Sequence, residues 1–377
     1  MSEKMSIAVV GGGIVGSTTA FYLSQQLNYE VTLYDSGVGQ ATSAAAGIIC
    51  PWLSQRRNKK WYQLAAKGAA FYPALIQDLG EDPDRSAIYR QVGALVIKKT
   101  PKLLEKLEKI ATKRRETEPT IGELSILSPE EVNEKMPLLH VSESALFASG
   151  GAKVDGALLT EKLQEQALKN GARVIKESAE LSIQHTQPQP YTLTTSSGQK
   201  SFDKVVLAVG AWLPEVLNPL GYNVDIRPQK GQLVELHVNA ETDDWPVVMP
   251  DGEKDIIPFA NGKVIVGATH ENDQGYDLEP TKRHLRVMLD EAIELAPDLA
   301  EAEIKGIRVG TRAYTSDFAP FFGEVPDAPG LYAASGLGSS GLTSGPIIAR
   351  ILTQLINGEA ADLSPNDYPI ENYISKR

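Results

Sequence analysis

Six consecutive residues near the start of the chain have the types and spacing of a phosphate-binding turn. They lie between a short apolar run and a helical pattern and read Gly11-Gly12-Gly13-Ile14-Val15-Gly16. In a G-x-G-x-x-G turn the first glycine permits the tight bend, Gly13 lets the backbone approach a pyrophosphate, and Gly16 lets helix and strand pack closely. The helix N-terminus at Ile14 and Val15 offers free N–H groups and partial positive charge to the phosphates.

An acidic residue completes this pattern. Asp35 ends a second β-like run about 20 residues beyond Gly16, between Tyr34 and Ser36. A carboxylate at this place can accept both hydroxyls of an adenosine ribose. Strand, turn, helix and acid together predict a dinucleotide site, and a glycine turn without a ligand is the alternative. The pattern alone does not distinguish NAD from FAD.

The residues that follow Asp35 favour FAD. They are small, include two hydroxyl groups and read Gln40-Ala41-Thr42-Ser43-Ala44-Ala45-Ala46-Gly47. Such a segment can lie against a pyrophosphate and a flat ring. A tight small-residue turn packed under the first helix is the alternative interpretation.

Hydrophobic periodicity places these residues on a βαβ unit and predicts the other elements. The predicted strands are Ser6–Val10, Glu30–Tyr34, Ala172–Ile175, Lys204–Val209 and Leu331–Ala334. The predicted helices are Ile14–Leu27, Pro101–Glu118, Asp155–Asn170, Thr281–Ala296 and Ile347–Leu355. Alternation between Arg227 and Thr269 predicts an antiparallel sheet. Because βαβ elements recur at the beginning, middle and end, we expect two interleaved domains.

Composition excludes several classes of protein. The 377 residues are 42% hydrophobic and 23% charged, which is ordinary for a globular protein. With 37 Lys and Arg against 48 Asp and Glu, the net charge of −11 argues against nucleic-acid or anionic-membrane binding as the main activity. The N-terminus lacks the apolar run of a signal peptide or membrane span, which predicts a cytoplasmic protein without stable membrane insertion.

Cysteine and histidine usage predicts no metal site. Cys50 is the single cysteine, which excludes an internal disulfide, and a packed thiol is the expected role. The histidines show no metal-ligand spacing: His140, His185, His237, His270 and His284.

Several motifs, taken in order, resemble the FAD-dependent D-amino acid oxidase superfamily, most closely glycine oxidase and D-amino acid dehydrogenases. The motifs are the glycine turn, residues 42–47, Val205–Trp212, Lys230–Gln232, Val266–Thr269 and the stretch from Gly310. The resemblance covers nearly the whole chain except about residues 56–146. It implies non-covalent FAD, bound by the residues described above together with Glu180 and Gly210.

The stretch Gly310–Gly323 resembles, without a gap, the family pattern G-L-R-P-x-T-x-D-G-x-P-x-x-G. The family's arginine falls on Arg312, so the resemblance implies that Arg312 holds the substrate carboxylate. Arginine suits this role because its planar fork gives two parallel hydrogen bonds and a permanent charge. Arg308, four residues earlier and on the same strand face, is the alternative clamp, and a surface ion pair is the alternative role.

A glycine-rich segment near the C-terminus resembles the family's G-H-G-x-x-G-x-T turn. It reads Gly336-Leu337-Gly338-Ser339-Ser340-Gly341-Leu342-Thr343. The resemblance implies that its N–H groups and the following helix face the flavin pyrimidine and stabilise the reduced ring. Leu337 replaces the family histidine, and Ser339 stands where the resemblance to glycine oxidase implies a second substrate arginine. These departures make Ser339 a candidate substrate contact and leave the substrate and electron acceptor open.

Asp255 is a further departure. The segment Asp255-Ile256-Ile257-Pro258 is similar to the family's Y-I-x-P, whose tyrosine often donates its hydroxyl to the substrate carboxylate. An ionised aspartate there would repel a carboxylate or attract a cationic amine, which predicts a substrate with a second positive centre. The alternative is an exposed aspartate in the charged turn DGEKD.

The resemblance implies an α/β fold of the glutathione-reductase type. A Rossmann-like FAD-binding domain with a parallel sheet (1–80, 147–222, 323–377) would be interleaved with an antiparallel-sheet substrate domain (81–146, 223–322). The implied activity oxidises the C–N bond of a D-amino acid, glycine, or an N-alkyl or cyclic amino acid. Hydride transfer to flavin N5 would give an imine and then a keto acid.

Other functions and partners stay open at this point. The alternatives are an FAD-dependent 2-hydroxy acid dehydrogenase, a non-catalytic FAD-binding protein and an NAD dehydrogenase. The electron acceptor would be oxygen, a quinone or another protein, and assembly into a homo-oligomer is not decided by the sequence.

Overall fold

A computed structural model describes residues 4–84, 86–184, 187–252 and 254–377. These residues form eight α-helices: α1 Ile14–Ser24, α2 Lys59–Asp78, α3 Pro101–Arg115, α4 Pro129–Lys135, α5 Gly156–Lys169, α6 Leu213–Leu217, α7 Lys282–Leu295 and α8 Gly341–Asn357.

The strands within the described residues are β1 Met5–Val10, β2 Tyr29–Tyr34, β3 Ile48–Ile49, β4 Tyr89–Gln91, β5 Ala94–Ile97, β6 Leu124–Leu127, β7 Ala145–Ala148, β8 Ala152–Val154, β9 Arg173–Ile175, β10 Glu180–Ile183, β11 Tyr191–Thr195, β12 Gly198–Phe202, β13 Lys204–Leu207, β14 Tyr222–Val224, β15 Arg227–His237, β16 Val247–Met249, β17 Asp255–Pro258, β18 Lys263–Gly267, β19 Glu303–Tyr314, β20 Phe321–Glu324, β21 Leu331–Ser335 and β22 Ile374–Lys376.

A six-stranded sheet carries the glycine turn, in the spatial order β20-β21-β13-β1-β2-β9. β1 pairs in parallel with β2 on one side and with β13 on the other, and the edge strand β20 runs antiparallel to β21. The direction of strand succession therefore reverses at β1. The carboxyl ends of strands at such a reversal form a crevice, which is where open α/β sheets bind ligands.

The strands of this sheet are buried on both faces, as their apolar runs predict. In β1, Ile7 and Val9 belong to the core formed with α1, α5 and α8, whereas Ala8 and Val10 pack towards the antiparallel strands β11 and β12. The first domain therefore has three layers: helices, the mainly parallel sheet and a small antiparallel sheet.

An eight-stranded sheet forms the second domain, in the order β19-β15-β18-β17-β16-β5-β7-β6. Its pairs are antiparallel except for β16 with β5, a parallel pair that sequence alternation did not predict. One face packs on α7 through Leu285 and Met288. The other face joins the core of the first domain through Leu233, Ile257 and Ile265. We call this second surface the inner face.

The two sheets confirm the predicted α/β class and its interleaved order. The exact domain limits stay a prediction. Three of them, between residues 146 and 147, between 222 and 223 and between 322 and 323, fall inside β7, β14 and β20. Because a strand belongs to one sheet along its length, we propose that these limits lie at the ends of the three strands.

Helix α8 begins at Gly341, earlier than the predicted start at Ile347. The sequence favours a late start because Pro346 has no N–H to donate to the carbonyl of Leu342. In the structure the Tyr72 hydroxyl donates to that carbonyl at 2.6 Å. The helix therefore continues through the proline, and the second half of the glycine-rich segment is helical.

The packing of α2 on the start of α8 is close enough to test by substitution. A Cβ at Gly68 would lie 3.0 Å from the carbonyl carbon of Thr343 and 3.1 Å from the Cα of Ser344. Gly68→Ala should therefore push the helices apart and destabilise the protein by about 1–3 kcal/mol. We expect calorimetry to show a melting temperature several degrees lower. Gly306→Ala is the control, since nothing lies within 4 Å of a Cβ there. Equal melting temperatures in the two variants would contradict this packing.

Candidate active site

A cavity of about 830 Å³ lies at the carboxyl ends of β1, β2 and β13. We call it the large cavity. The glycine turn, the start of α1, the end of β2 and the loop after β13 form its walls. The predicted cofactor residues that line it are Gly11, Gly13, Ile14, Val15, Tyr34, Asp35, Ser36, Gln40, Ala41, Thr42, Glu180, Gly210, Gly338 and Gly341.

Hydrogen bonds hold the glycine turn against Asp35. The N–H of Gly12 donates to the Asp35 carboxylate at 3.0 Å, and the Gln40 side-chain amide donates to it at 2.6 Å. A Cβ at Gly12 would lie 2.7 Å from the Asp35 carboxyl carbon, so a side chain there would push the carboxylate away. The N–H of Ile14 donates to the Thr42 hydroxyl at 3.0 Å, which places Thr42 at the N-terminus of α1.

The chemistry of the large cavity fits a dinucleotide. The N-terminus of α1 favours phosphate, and the Asp35 carboxylate can accept hydroxyl hydrogens. The buried Thr311 hydroxyl, which also lines the cavity, has no hydrogen-bond partner among the described residues. Thr311 lies on β19 of the second sheet, so both domains contribute polar groups to the same space.

A second cavity of about 190 Å³, the small cavity, adjoins the first. The two cavities share Ala41, Thr42, Gly338 and Gly341. The structure brings the three predicted catalytic residues together here, although they are far apart in the chain: Arg312, Asp255 and Ser339. Four further predicted cofactor residues also line it: Ala45, Ala46, Gly47 and Leu342.

Five predicted cofactor residues line neither cavity: Gly16, Ser43, Gly336, Ser340 and Thr343. Two of them, Gly16 and Ser340, support the site from outside the cavities. A Cβ at Gly16 would lie 3.0 Å from the carbonyl carbon of Gly11, so this glycine permits the predicted close packing of α1 on β1. The Ser340 hydroxyl accepts from the Trp61 indole N–H at 3.1 Å and donates to the Leu337 carbonyl at 2.8 Å, which braces the turn from behind.

Hydrogen bonds hold the Arg312 side chain across the neighbouring strand β15. Its Nη1 donates to the Gln229 side-chain oxygen at 3.1 Å and to the Thr269 carbonyl at 2.8 Å. A Cβ at Gly231 would lie 2.7 Å from the guanidinium carbon. The guanidinium therefore occupies space that is open because residue 231 is glycine, at the wall of the small cavity.

Arg308, the alternative clamp, is held by an ion pair outside both cavities. Its Nε and Nη2 donate to the Glu235 carboxylate at 3.1 and 2.6 Å. Strand alternation explains what β19 presents to each cavity: Gly310 and Arg312 line the small one, and Thr311 lines the large one. Of the two arginines, the structure therefore brings Arg312 to the candidate site.

Asp255 lies on the inner face of the second sheet. It pairs with Gly267, which pairs in turn with Leu233, and Leu233 lines the small cavity beside Asp255. Burial raises the pKa of Asp255 to about 7, against the opposing charge of Lys98. The side chain is thus a cavity residue, and it is partly protonated near neutral pH. The sequence predicted a fully ionised carboxylate, and the raised pKa corrects that prediction.

Several residues of the small cavity were not predicted as site residues, and Gly231 and His270 are the two that bear on its chemistry. Each adjoins a recognised motif, since Gly231 is the middle residue of Lys230–Gln232 and His270 follows Thr269. Backbone hydrogen bonds between Lys230 and Glu271, both 3.0 Å, hold the His270 loop against β15. Adjacency to the motifs was the signal that the sequence offered for these two residues. Their proximity to Arg312 arises only from strand pairing.

Cys50 is buried in the core, as predicted, and burial raises the pKa of its thiol to about 12. Within the described ranges, no three or more His, Cys, Asp or Glu side chains are grouped as metal ligands. His185 lies outside those ranges. Among the helices that the structure describes, none combines the length and apolar character needed to cross a bilayer.

Comparison with known proteins identifies the class of this fold and site. Residues 6–355 match the profile of the FAD dependent oxidoreductase family, called DAO, and the chain belongs to this family. It is 43% identical to an uncharacterized oxidoreductase of Bacillus subtilis (strain 168), YurR, over 96% of this chain and 98% of that protein. It is 28% identical to a glycine oxidase of Pseudomonas putida, over 98% of this chain and 99% of that protein.

Solved structures show the same fold. Iminodiacetate oxidase from Chelativorans sp. BNC1 has a TM-score of 0.91 at 33% identity and covers 96% of this chain and 98% of its own. Glycine oxidase from Geobacillus kaustophilus has a TM-score of 0.86 at 23% identity, with 99% and 100% covered. The predicted family and cofactor are confirmed: the chain is an FAD-dependent oxidoreductase of this family.

The glycine turn provides a test of the FAD site. A Cβ at Gly13 would lie 3.2 Å from the Thr42 hydroxyl, and a branched side chain would fill the space before α1. Gly13→Val should therefore abolish flavin retention, measured as flavin absorbance relative to protein. Gly306→Val, in open space, should retain it. In the wild type we expect acid to release FAD, and a flavin mass on the denatured chain would contradict non-covalent binding.

Substitutions of Arg312, or of Gly231 beside its guanidinium, should weaken substrate turnover without loss of FAD. Arg312→Lys keeps the charge but loses the two parallel bonds. One charge-assisted bond contributes about 1.5–3 kcal/mol, hence roughly 10- to 150-fold in kcat/KM. Gly231→Ala should act on the same group by displacing it, and so raise KM. Arg308→Lys is the comparison and should be mild. A larger loss at Arg308 than at Arg312 would show that Arg312 is not the clamp.

Proposed function

We propose that the protein oxidises the bond between the nitrogen and the adjacent carbon of a small amino acid. The substrate would be glycine, a D-amino acid, or an N-alkyl or cyclic amino acid. One observation carries this proposal: the small cavity, with Arg312 in its wall, shares residues with the large FAD cavity. A carboxylate bound at Arg312 would therefore keep its neighbouring carbon close to the cofactor.

FAD, when bound, supplies the two-electron oxidation of the carbon next to nitrogen, and the chain's own residues supply the positioning. The glycine turn and the start of α1 would hold its pyrophosphate, and Asp35 its ribose. Gly338 and Gly341 belong to both cavities, and this supports a role in which they would hold the reactive ring against the substrate.

The size and lining of the small cavity favour a compact substrate. Its volume of about 190 Å³ is below the roughly 300–1,000 Å³ of sites for drug-sized ligands. Arg312 would bind one carboxylate. Protonated Asp255 can donate a hydrogen bond to an acceptor, and ionised Asp255 can attract a cationic nitrogen. Glycine and iminodiacetate, the compounds named in two similar proteins, are both small amines with carboxylate groups.

Oxidation of a 2-hydroxy acid is the second candidate, because His270 also lines the small cavity. A hydroxyl must lose its proton to a base during oxidation, and histidine is the side chain that most often serves as that base.

For the oxidation of an amino acid, we propose oxygen, a quinone or a protein as electron acceptor. A cytoplasmic location and the oligomeric state stay predictions.

Anaerobic bleaching of the bound flavin distinguishes these functions. We expect bleaching by glycine, sarcosine, iminodiacetate, D-alanine or D-proline, and none by glycolate or D-lactate. Oxygen is then readmitted, and rapid recovery of the yellow colour identifies an oxidase. Bleaching by the hydroxy acids alone would favour the second candidate. If no member of the panel bleaches the flavin, oxidation of a small amino acid is wrong.

A further inference from the structure

The Asp255 side chain lines the small cavity. Within the described residues it makes no hydrogen bond or ion pair, unlike the nearby Asp251, whose carboxylate is paired with Lys98 at 2.6 Å. Its row across β17, β18 and β15 continues to Arg308 on β19, and Arg312 lies on the same inner face four residues further along that strand. Gly267, next to it in that row, has no side chain to cover it.

We infer that the Asp255 carboxylate takes up the proton that a cationic amino acid must lose before its C–N bond can be oxidised. This inference rests on the proposed function. In neutral solution the nitrogen of an amino acid is an ammonium, which has no lone pair to form a C=N bond. In the step we propose, an N–H bond breaks, its electron pair stays on nitrogen and the proton goes to an Asp255 carboxylate oxygen. Nitrogen then has the lone pair that the two-electron oxidation requires.

Asp255 suits this step better than its neighbours in the cavity. The Ser339 hydroxyl is not a base near neutral pH, and the Arg312 guanidinium stays protonated. His270 is an exposed residue of the cavity wall, whereas the Asp255 carboxyl group is desolvated. An ordinary aspartate, with a pKa near 3.9, would be a weak acceptor. Burial raises the pKa of Asp255 to about 7, which makes it a stronger base that is still ionised in slightly alkaline solution.

Among the described residues, charged and titratable groups face Asp255 from three places in the second domain. Arg312 and His270 line the same cavity from β19 and from the loop after β18. Lys98, directly after β5, lowers the pKa of Asp255 while desolvation raises it. Because desolvation outweighs Lys98, the carboxyl group is protonated below about pH 7 and cannot then accept a second proton.

The pH dependence of turnover tests the inference. In the wild type we expect kcat/KM to rise with pH and to level off above about 7. Asp255→Asn should lower kcat/KM near neutral pH by about 10²- to 10⁴-fold. Its activity should recover only as the free substrate amine loses its proton in alkaline solution. A merely structural role would lower activity equally at all pH values. Asp244→Asn, at an exposed residue paired with Arg90, is the matched control and should keep the wild-type profile.

Binding without turnover gives a separate measurement. We use 2-aminoisobutyrate, which has the carboxylate and ammonium of an amino acid but no hydrogen on its α-carbon to be removed. Its affinity, followed by the change in flavin absorbance, should fall about tenfold per pH unit below 7 in the wild type. The affinity for acetate, which lacks the amine, should show no such fall. In Asp255→Asn the affinity for 2-aminoisobutyrate should no longer fall below pH 7.

The outcomes separate the inference from the proposed function. If the wild type oxidises amines and Asp255→Asn keeps the wild-type pH profile and the binding inflection, the inference is wrong and the function stands. If no amine is oxidised, the proposed function fails, and the inference fails with it. Flavin content and melting temperature verify that the variant is folded. Asp255→Ser, which leaves room for water, takes its place if Asp255→Asn does not retain FAD.

Discussion

The candidate site depends on the contact between strand β19 of the second sheet and the small-residue segment after β2. The N–H of Thr311 donates to the Gly39 carbonyl at 3.2 Å, and Thr311 forms a parallel bridge with Gln40. A Cβ at Gly310 would lie 2.8 Å from the Cβ of Ala44, so the contact requires small residues on both sides. Because β19 passes here, its alternating side chains reach the large cavity on one face and the small cavity on the other.

Electrostatics in the small cavity follows from this arrangement. The second sheet turns its inner face towards the first domain, so Arg312 and Asp255 share one small, partly enclosed space. The guanidinium of Arg312 is a permanent charge and donates to the oxygen atoms of Gln229 and Thr269. Asp255 has no such hydrogen bonds among the described residues, and desolvation moves its pKa towards neutrality. The cavity therefore combines a permanent cation with a group whose charge depends on pH.

Local patterns predicted a large part of the fold. The βαβ unit with its glycine turn, the buried parallel strands and helices α1, α3, α5 and α7 require only short-range periodicity, and they were found within a few residues of their predicted limits. The longest helix, α2, was not predicted. The start of α8 was wrong because the Tyr72 hydroxyl, distant in sequence, satisfies the carbonyl that Pro346 leaves without a donor. The parallel pairing of β16 with β5 was missed because the two strands lie far apart in the chain.

The sequence by itself determined the phosphate-binding turn and the acid at its second strand, because both depend on residue type and spacing along the chain. The family resemblance, also visible in the sequence, implied the candidate residues Arg312, Asp255 and Ser339. Tertiary structure alone decided that Arg312 rather than Arg308 lines the small cavity, that Gly231 makes room for its guanidinium, and that His270 joins it. It also decided the protonation of Asp255. Strand register, close approach and desolvation arise only when distant segments pack together, so no local pattern contains them.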